Sequence, residues 1–351
     1  MNELILHING QLYQGWKRVS VTRSLEGGPH QFQVEAAPGL DADNGLFALS
    51  DGMPVELFVN DERITSGYID ELDIRYDHRS ASVTIKGRSK LGDLVDCSGL
   101  GKQYKEQSLA SIARTLCQPF GIEVIIDPNA SAAANDVFKQ TSLTLDAGQT
   151  LWQFLEELAR LRAVLLISDA DGNLIISRSG QAQTSTALEL GKNILSASAS
   201  RSHRGLFSCI QVVGDPAPGK YIGAPPAIIG HAEGRAERHR PQVVMADTPS
   251  DQDACDAQAQ HQRNVNWGRS RRITYKMQGW RASNDGPLWM PNQLIRVTDP
   301  RLQLDDQERL ITSVRFAADT RSGQTTELTL MPKEAFDLRA QPEGPGRGYI
   351  L

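Results

Sequence analysis

The 351-residue chain has only four cysteines, Cys97, Cys117, Cys209 and Cys255, and no two of them form a CxxC pair. That spacing excludes a zinc ribbon or a dense disulfide framework and fits reduced thiols. Cys117, on the apolar side of a helical pattern, reads as a small hydrophobe. Long apolar runs are missing too. No window approaches the roughly 18 apolar residues of a membrane span, and Met1 to Gly10 lack a basic n-region and an apolar h-region, so neither a membrane anchor nor a secretory signal is expected. Charge of one sign is scarce: 37 Lys and Arg against 42 Asp and Glu leave a net −5, which argues against a dedicated nucleic-acid binder.

Catalytic signatures are equally sparse. No GxSxG elbow, phosphate-cradling glycine loop or HExxH helix is present. Asp169-Ala170-Asp171-Gly172-Asn173 places its glycine too early for an EF-hand and reads as a hairpin turn. His231, Glu233, Glu237 and His239 cluster in what reads as a solvated polar loop without ligand spacing. Glu156 and Glu157 are neighbours on a helix and so point apart. No catalytic, cofactor-binding or metal-ligating residue is assigned, and the chain is not expected to be an enzyme. The arginines of Arg201 to Arg204, of Arg235 to Arg240, and Arg269, Arg271 and Arg272 read as charged ends and wet faces of strands. A surface for an acidic partner or a translocating DNA is the alternative. Tyr13, Trp16, Trp280 and Trp289 are either core or anchors of subunit contacts.

What the chain does contain is ordinary globular composition, 40% hydrophobic and 23% charged, and an internal repeat. Met290-Pro291, Leu294, Val297 and Glu308-Arg309-Leu310-Ile311-Thr312-Ser313 restate Met53-Pro54, Leu57, Val59 and Glu62-Arg63-Ile64-Thr65-Ser66. In both places a strand, a polar turn (Asp77-His78-Arg79-Ser80; Asp319-Thr320-Arg321-Ser322-Gly323) and a second strand follow. Convergence of short hairpins is the alternative to a doubled β-module.

In chain order, Leu4 to Ile8, the Asn9-Gly10 turn, Val19 to Arg23, Phe32 to Ala36, Val55 to Val59, Ile64 to Tyr76 and Ser82 to Lys86 read as short strands of a sandwich or barrel. Ser108 caps a helix carrying Leu109, Ile112, Ala113, Leu116 and Phe120 that Gly121 stops. Strand Ile122 to Ile126 follows, then a helix from Thr150 with Leu151, Phe154, Leu155 and Leu158, then a hairpin from Val164 to Ile167 and Leu174 to Ser177. Strands recur at Asn193 to Ser200 and Phe207 to Val213. A Gly- and Pro-rich passage runs from Asp215 to Gly230, and residues 251 to 266 form a peripheral helix with a thin stripe of Ala254, Ala257 and Val265. After it, Ile273, Tyr275 and Met277 define the buried face of a strand. The fold class is therefore β-rich α+β: two similar β-barrel-like modules, with a small α+β domain and a further insertion between them. The divisions are 1–95 (first module), 96–180 (α+β domain), 181–214 with 268–340 (second module), 215–267 (insertion) and 341–351 (a flexible tail).

Trp289-Met290-Pro291-Asn292, Arg309-Leu310-Ile311, Val314-Arg315-Phe316, Leu328-Thr329-Leu330 and Pro332-Lys333-Glu334-Ala335-Phe336 resemble the baseplate hub protein of Mu-like contractile phage tails. Gly15-Trp16, Val19-Ser20-Val21-Thr22-Arg23-Ser24, Gly67-Tyr68-Ile69-Asp70, Gly87-Arg88, Asp93-Leu94-Val95-Asp96-Cys97, Ile112-Ala113-Arg114, Leu116-Cys117, Pro119 and Gly121 extend the likeness. The resemblance covers nearly the whole chain except 215 to 250 and the residues after Ala340. It implies a homotrimeric, pseudo-sixfold ring in the virion tail baseplate, assembled in the host cytoplasm, with partners in the tail tube protein, the central spike protein and the tape-measure protein. DNA would pass through such a ring without specific binding. Related parts of type VI secretion spikes and R-type bacteriocins would do the same work. A cell-wall-binding or peptidoglycan-hydrolysing baseplate module is the competing expectation.

Overall fold

The computed structural model describes residues 3–37, 48–138, 143–180, 182–214, 228–246, 252–283, 286–320 and 323–336. The expected tail 341–351, the stretch 215–227 and two residues of the late turn lie outside the described residues.

Alternation builds the first part. β1 (Leu4–Ile8) buries Leu4, Leu6 and Ile8, and turns through Asn9 and Gly10, both at positive φ (49° and 78°), into β2 (Gln11–Tyr13). β3 (Arg18–Ser24), β4 (Gln31–Ala36), β5 (Pro54–Val59), β6 (Glu62–Tyr76) and β7 (Ala81–Ser89) follow. β6 and β7 cross at a glycine: a Cβ on Gly87 would run into the Tyr68 carbonyl oxygen and the Phe32 ring.

The middle of the chain comprises α1 (Gly92–Asp96), β8 (Lys102–Tyr104), α2 (Leu109–Cys117), β9 (Val124–Ile126), α3 (Ser131–Asn135), β10 (Leu143–Leu145), α4 (Leu151–Leu161), β11 (Leu165–Ser168) and β12 (Leu174–Ser177). Ser108 Oγ accepts the Ser111 amide at 3.3 Å, and Thr150 with Gln153 forms a capping box on α4. Leu109, Ile112, Leu116, Phe154, Leu155 and Leu158 close a core of their own, and there burial pushes the Cys117 thiol up to about 12.

Then come β13 (Ala182–Gln183), β14 (Leu188–Glu189), β15 (Ser196–Ala199), β16 (Cys209–Gly214), β17 (Ile228–Glu233), β18 (Pro241–Met245), α5 (Gln252–Arg269), β19 (Ile273–Gln278), β20 (Gln293–Asp299), β21 (Leu304–Asp319) and β22 (Gly323–Met331). Three expectations are corrected here. The Phe207 to Val213 strand, assigned to the second module, is β16, and it pairs with β17 and β18 in a separate three-stranded sheet. His231 and Glu233 lie on β17 rather than in a loop. The helix buries Ala254, Cys255 and Ala259 rather than Ala254, Ala257 and Val265, because its contact face is set by Gly230, where strand and helix backbones meet too closely for any Cβ.

The fourth difference is the largest. The protein is β-rich α+β, as expected, but the described strands do not close into two barrels. All β-module strands join one 14-stranded sheet with the path β15-β19-β22-β21-β3-β4-β7-β6-β5-β1-β2, to which β20 adds beside β21 with β13 and β14. One core runs through both halves, from Leu6, Leu57 and Ile85 to Tyr275, Phe316 and Leu328. The halves fuse because β21 outruns its hairpin partner and offers a free edge to β3.

Candidate subunit interface

The two halves of the sheet meet at one joint, between β21 and β3. β21 pairs antiparallel with β3 from Ser313↔Ser24 through Phe316↔Val21 to Asp319↔Arg18. Phe316 and Val21 are fully buried there, with the Trp280 ring edge-on to Phe316 at 6.1 Å and its Nε1 donating to Ala317 O at 2.9 Å. Arg23 crosses the joint: it donates to the Ile64 carbonyl and to Met290 Sδ at 2.7 Å, and lies 6.0 Å from the Phe316 ring. Burial lowers its guanidinium to about 10, against the pull of Glu62 and Asp169. Beside it the buried His30 is held well below the ordinary histidine value by desolvation and then by Arg23, so it stays neutral. Ser168 of β11 donates to Ser89 Oγ at 3.0 Å in the same cluster, which ties the middle domain to the sheet.

The repeat can be aligned strand by strand. The β6:β7 ladder slips between Ile69 and Glu71, and the β21:β22 ladder slips between Ile311 and Ser313. Matching the bulges sets Ile74 on Phe316 and Tyr76 on Ala318. Carrying this across the ladders sets Ile85 on Leu328, Val34 on Tyr275, Val19 on Ala197 and Val21 on Ala199. Thus β3-β4-β7-β6-β5 corresponds to β15-β19-β22-β21-β20, and Arg23-Ser24 falls on Arg201-Ser202.

The other face of the joined sheet is polar. Lys276, Glu327, Arg315, Thr22, Gln31 and Arg88 stand in one cross-strand row. Arg315 pairs with Glu327 at 3.5 Å, Arg18 and Lys17 with Glu35 at 3.3 and 3.5 Å, and Lys86 with Glu71 at 2.7 Å and Asp73 at 3.2 Å. Arg88 grips Asp96 at 2.6 Å and Asp70 at 2.7 Å, bonds that hold its charge firmly and lower the Asp96 carboxyl. Cations and acids balance one for one across this face.

Family models match three stretches of the chain: the N-terminal domain of the Mu phage baseplate assembly protein GpP-like family over 3–89, the second domain of baseplate hub protein gp44-like over 91–178, and the fourth domain of GpP over 251–339. The baseplate hub protein gp44 of Escherichia phage Mu is 33% identical over 95% of this chain and 89% of its own. The chain belongs to the Mu-type baseplate hub family. Among solved structures, the 43 kDa tail protein of prophage MuSo2 from Shewanella oneidensis superposes with a TM-score of 0.84 at 30% identity, covering 95% of this chain and 99% of that one. A tail protein from Neisseria meningitidis MC58 gives 0.81 at 19% identity, covering 96% and 99%. A type VI secretion component from E. coli shares the fold at 0.61 and 12% identity, covering 96% and 80%.

In this hub the residues singled out from the sequence serve the framework. Asp169 Oδ1 accepts the amides of Asp171 and Asn173 at 2.9 and 2.7 Å, closing the hairpin turn. His231, Glu233, Glu237 and His239 are exposed, and among the described residues no group of three or more His, Cys, Asp or Glu is placed to hold a metal ion. Glu157 accepts from Gln149 at 3.0 Å, while Glu156 lines a cleft of about 470 Å³ bounded by α4, α5, Leu25 and Phe336. The arginine clusters are tertiary ties: Arg201 to the Leu302 carbonyl at 2.8 Å, Arg240 to those of Arg204 and Leu206 at 2.9 and 3.0 Å, and Arg272 to Glu26 at 2.8 Å. Arg235 and Arg271 lie on the Trp267 ring at 4.3 and 4.5 Å. Tyr13, Trp280 and Trp289 are core, and Trp16 packs against it with Nε1 on the Leu4 carbonyl at 3.1 Å. Sequence reasoning missed the role of Arg23; its only signal was the Arg-Ser pair shared with Arg201-Ser202.

Proposed function

We propose that this hub forms a trimeric, pseudo-sixfold ring that joins a hexameric tail tube to a trimeric central spike and leaves a channel for the tape-measure protein and the genome. The observation that carries it is the internal repeat: five strands of each half, β3-β4-β7-β6-β5 and β15-β19-β22-β21-β20, follow one another in the same order within one sheet. Three such chains present six near-equivalent units to a sixfold partner while keeping threefold symmetry for the other side. The charge-balanced polar face is the surface suited to the channel, since it offers a passing polyanion no net attraction.

In this reading residues 1–95 and 181–208 with 268–340 are the two ring modules, 96–180 is a brace between them, and the β16–β18 sheet with α5 is an appendage. The ring assembles in the host cytoplasm with the tube and spike proteins, and its work is mechanical rather than enzymatic. Native mass spectrometry and light scattering across concentration test it. A species of three times 38.5 kDa, alone or with tube and spike proteins added, is expected. A monomer under all of these conditions overturns it.

A further inference from the structure

The end of α5 carries cations that the fold does not use up. Arg235, from the stretch between β17 and β18, and Arg271, just past α5, lie over the Trp267 ring at 4.3 and 4.5 Å, and Arg263 stands one helical turn before that ring. Their neighbours Arg269 and Arg272 share Glu26 at 3.9 and 2.8 Å. Arg235, Arg263 and Arg271 make no ion pair among the described residues: Arg263 donates to Asn264 Oδ1 at 3.2 and 3.3 Å, and Arg271 to the Ser270 carbonyl at 3.4 Å. Burial lowers the Arg235 guanidinium below its ordinary value, and the charges of Arg263 and Arg271 lower it further. Like charges are held together here by an aromatic ring and a helix, not by acids.

One acid does come near. A Cβ on Gly268 would run into the Ala335 side chain, so the turn Lys333–Phe336 lies on the end of α5 and brings the exposed Glu334 alongside. Its charge pulls against the lowering of both Arg235 and Arg309, and the Nε of Arg309 is itself buried without a hydrogen-bond partner. A single carboxylate is shared among arginines that could each take one. The surplus is local, because cations and acids balance on the polar face of the sheet.

We infer that the arginines about Trp267 form a docking surface for a short acidic segment of a partner protein, whose carboxylates take the places that Glu334 fills only in part. The geometry favours a peptide over a nucleic acid. The cations gather round one ring instead of following a strand, and that ring is already half-buried under two guanidiniums rather than standing clear to stack a base. A planar guanidinium laid on an aromatic ring keeps its N–H edge for bidentate pairing with a carboxylate. The surface needs no trimer to form.

The test uses the full-length protein in each oligomeric state that native mass shows. A fluorescein-labelled tetraglutamate peptide, its tetraglutamine counterpart and a short oligothymidylate are titrated by fluorescence anisotropy at low salt, where charge pairing is least screened. Binding of the glutamate peptide, and of neither other probe, is expected. Arg235→Gln and Arg263→Gln should each weaken it about twofold to fivefold, as loss of one exposed charge pair does. Glu334→Gln should strengthen it by a similar factor, since the internal competitor is gone; misfolding cannot mimic a gain. Arg79→Gln, on the turn between β6 and β7, should leave it unchanged. Equal weakening by Arg79→Gln, or no gain in Glu334→Gln, means unspecific attraction and overturns the site. Preference for the oligothymidylate overturns it in favour of a nucleic acid, and loss of peptide binding on going from monomer to trimer overturns it in favour of a neighbouring copy.

Discussion

Phe316→Ala tests whether the two halves of the sheet are one cooperative body. The ring is fully buried on β21, faces Val21 of β3, and meets Trp280 edge-on. Truncating a buried phenylalanine costs about 3–5 kcal/mol, and the lost aromatic contact places this site in the upper half, so about 4 kcal/mol is expected. In hydrogen exchange that is close to a thousandfold increase in the opening constant. Because one core connects both halves, protection should fall together in β3 and β7 on one side and in β19 and β22 on the other. Exchange in α2 and α4, which pack around a separate core, should change far less. If β19 and β22 open while β5 and β7 keep wild-type protection, the halves are independent modules that merely touch, and the single-core argument fails.

Other outcomes follow from particular side chains. Gly87→Ala should cost about 3 kcal/mol or raise insoluble yield, because the added Cβ meets the Tyr68 backbone oxygen, which has no way to yield; chemical denaturation of the sheet measures it. Thr150→Ala removes the α4 capping box and should cost about 1 kcal/mol, lowering the middle domain's melting by about 4–8 °C in calorimetry while the sheet transition stays put. His30 is held neutral below its ordinary value of about 6.5, so the unfolded chain takes up the proton first and stability present above that pH is lost below it. His30→Gln should remove up to one proton's worth of this slope, about 1.4 kcal/mol per pH unit below pH 6.5; an unchanged acid-unfolding profile refutes it.

Local chemistry made much of the fold readable. Alternation located β1, β3–β7 and β19, and Ser108 and Thr150 announced α2 and α4, because strands with one wet face and helices with side-chain caps write their geometry into a few neighbouring letters. Elements of two or three residues, such as β2, β8 and β13, leave no periodicity to read, and β17 was hidden because its Gly230 and Ala232 bury only where α5 presses on them. The missing barrels are a different kind of miss. A strand's own letters state which face is buried but not which distant edge it will join, and β21 meets β3 across some 290 residues of chain.

The letters that made the repeat visible are not the ones the strands superpose: matching the ladders sets Leu57 on Val297 rather than on Leu294, and Ser66 on Glu308 rather than on Ser313. The order of strands repeats, and the shared letters only mark hairpins of like composition. β3 and β15 differ on the core face, valine in one and alanine in the other, while their polar positions keep Ser20 with Ser198 and Arg23-Ser24 with Arg201-Ser202. A core-facing letter follows what covers it: Val19 and Val21 lie against Ala318 and Phe316 across the β3:β21 joint and are buried, whereas Ala197 and Ala199 stand exposed on β15.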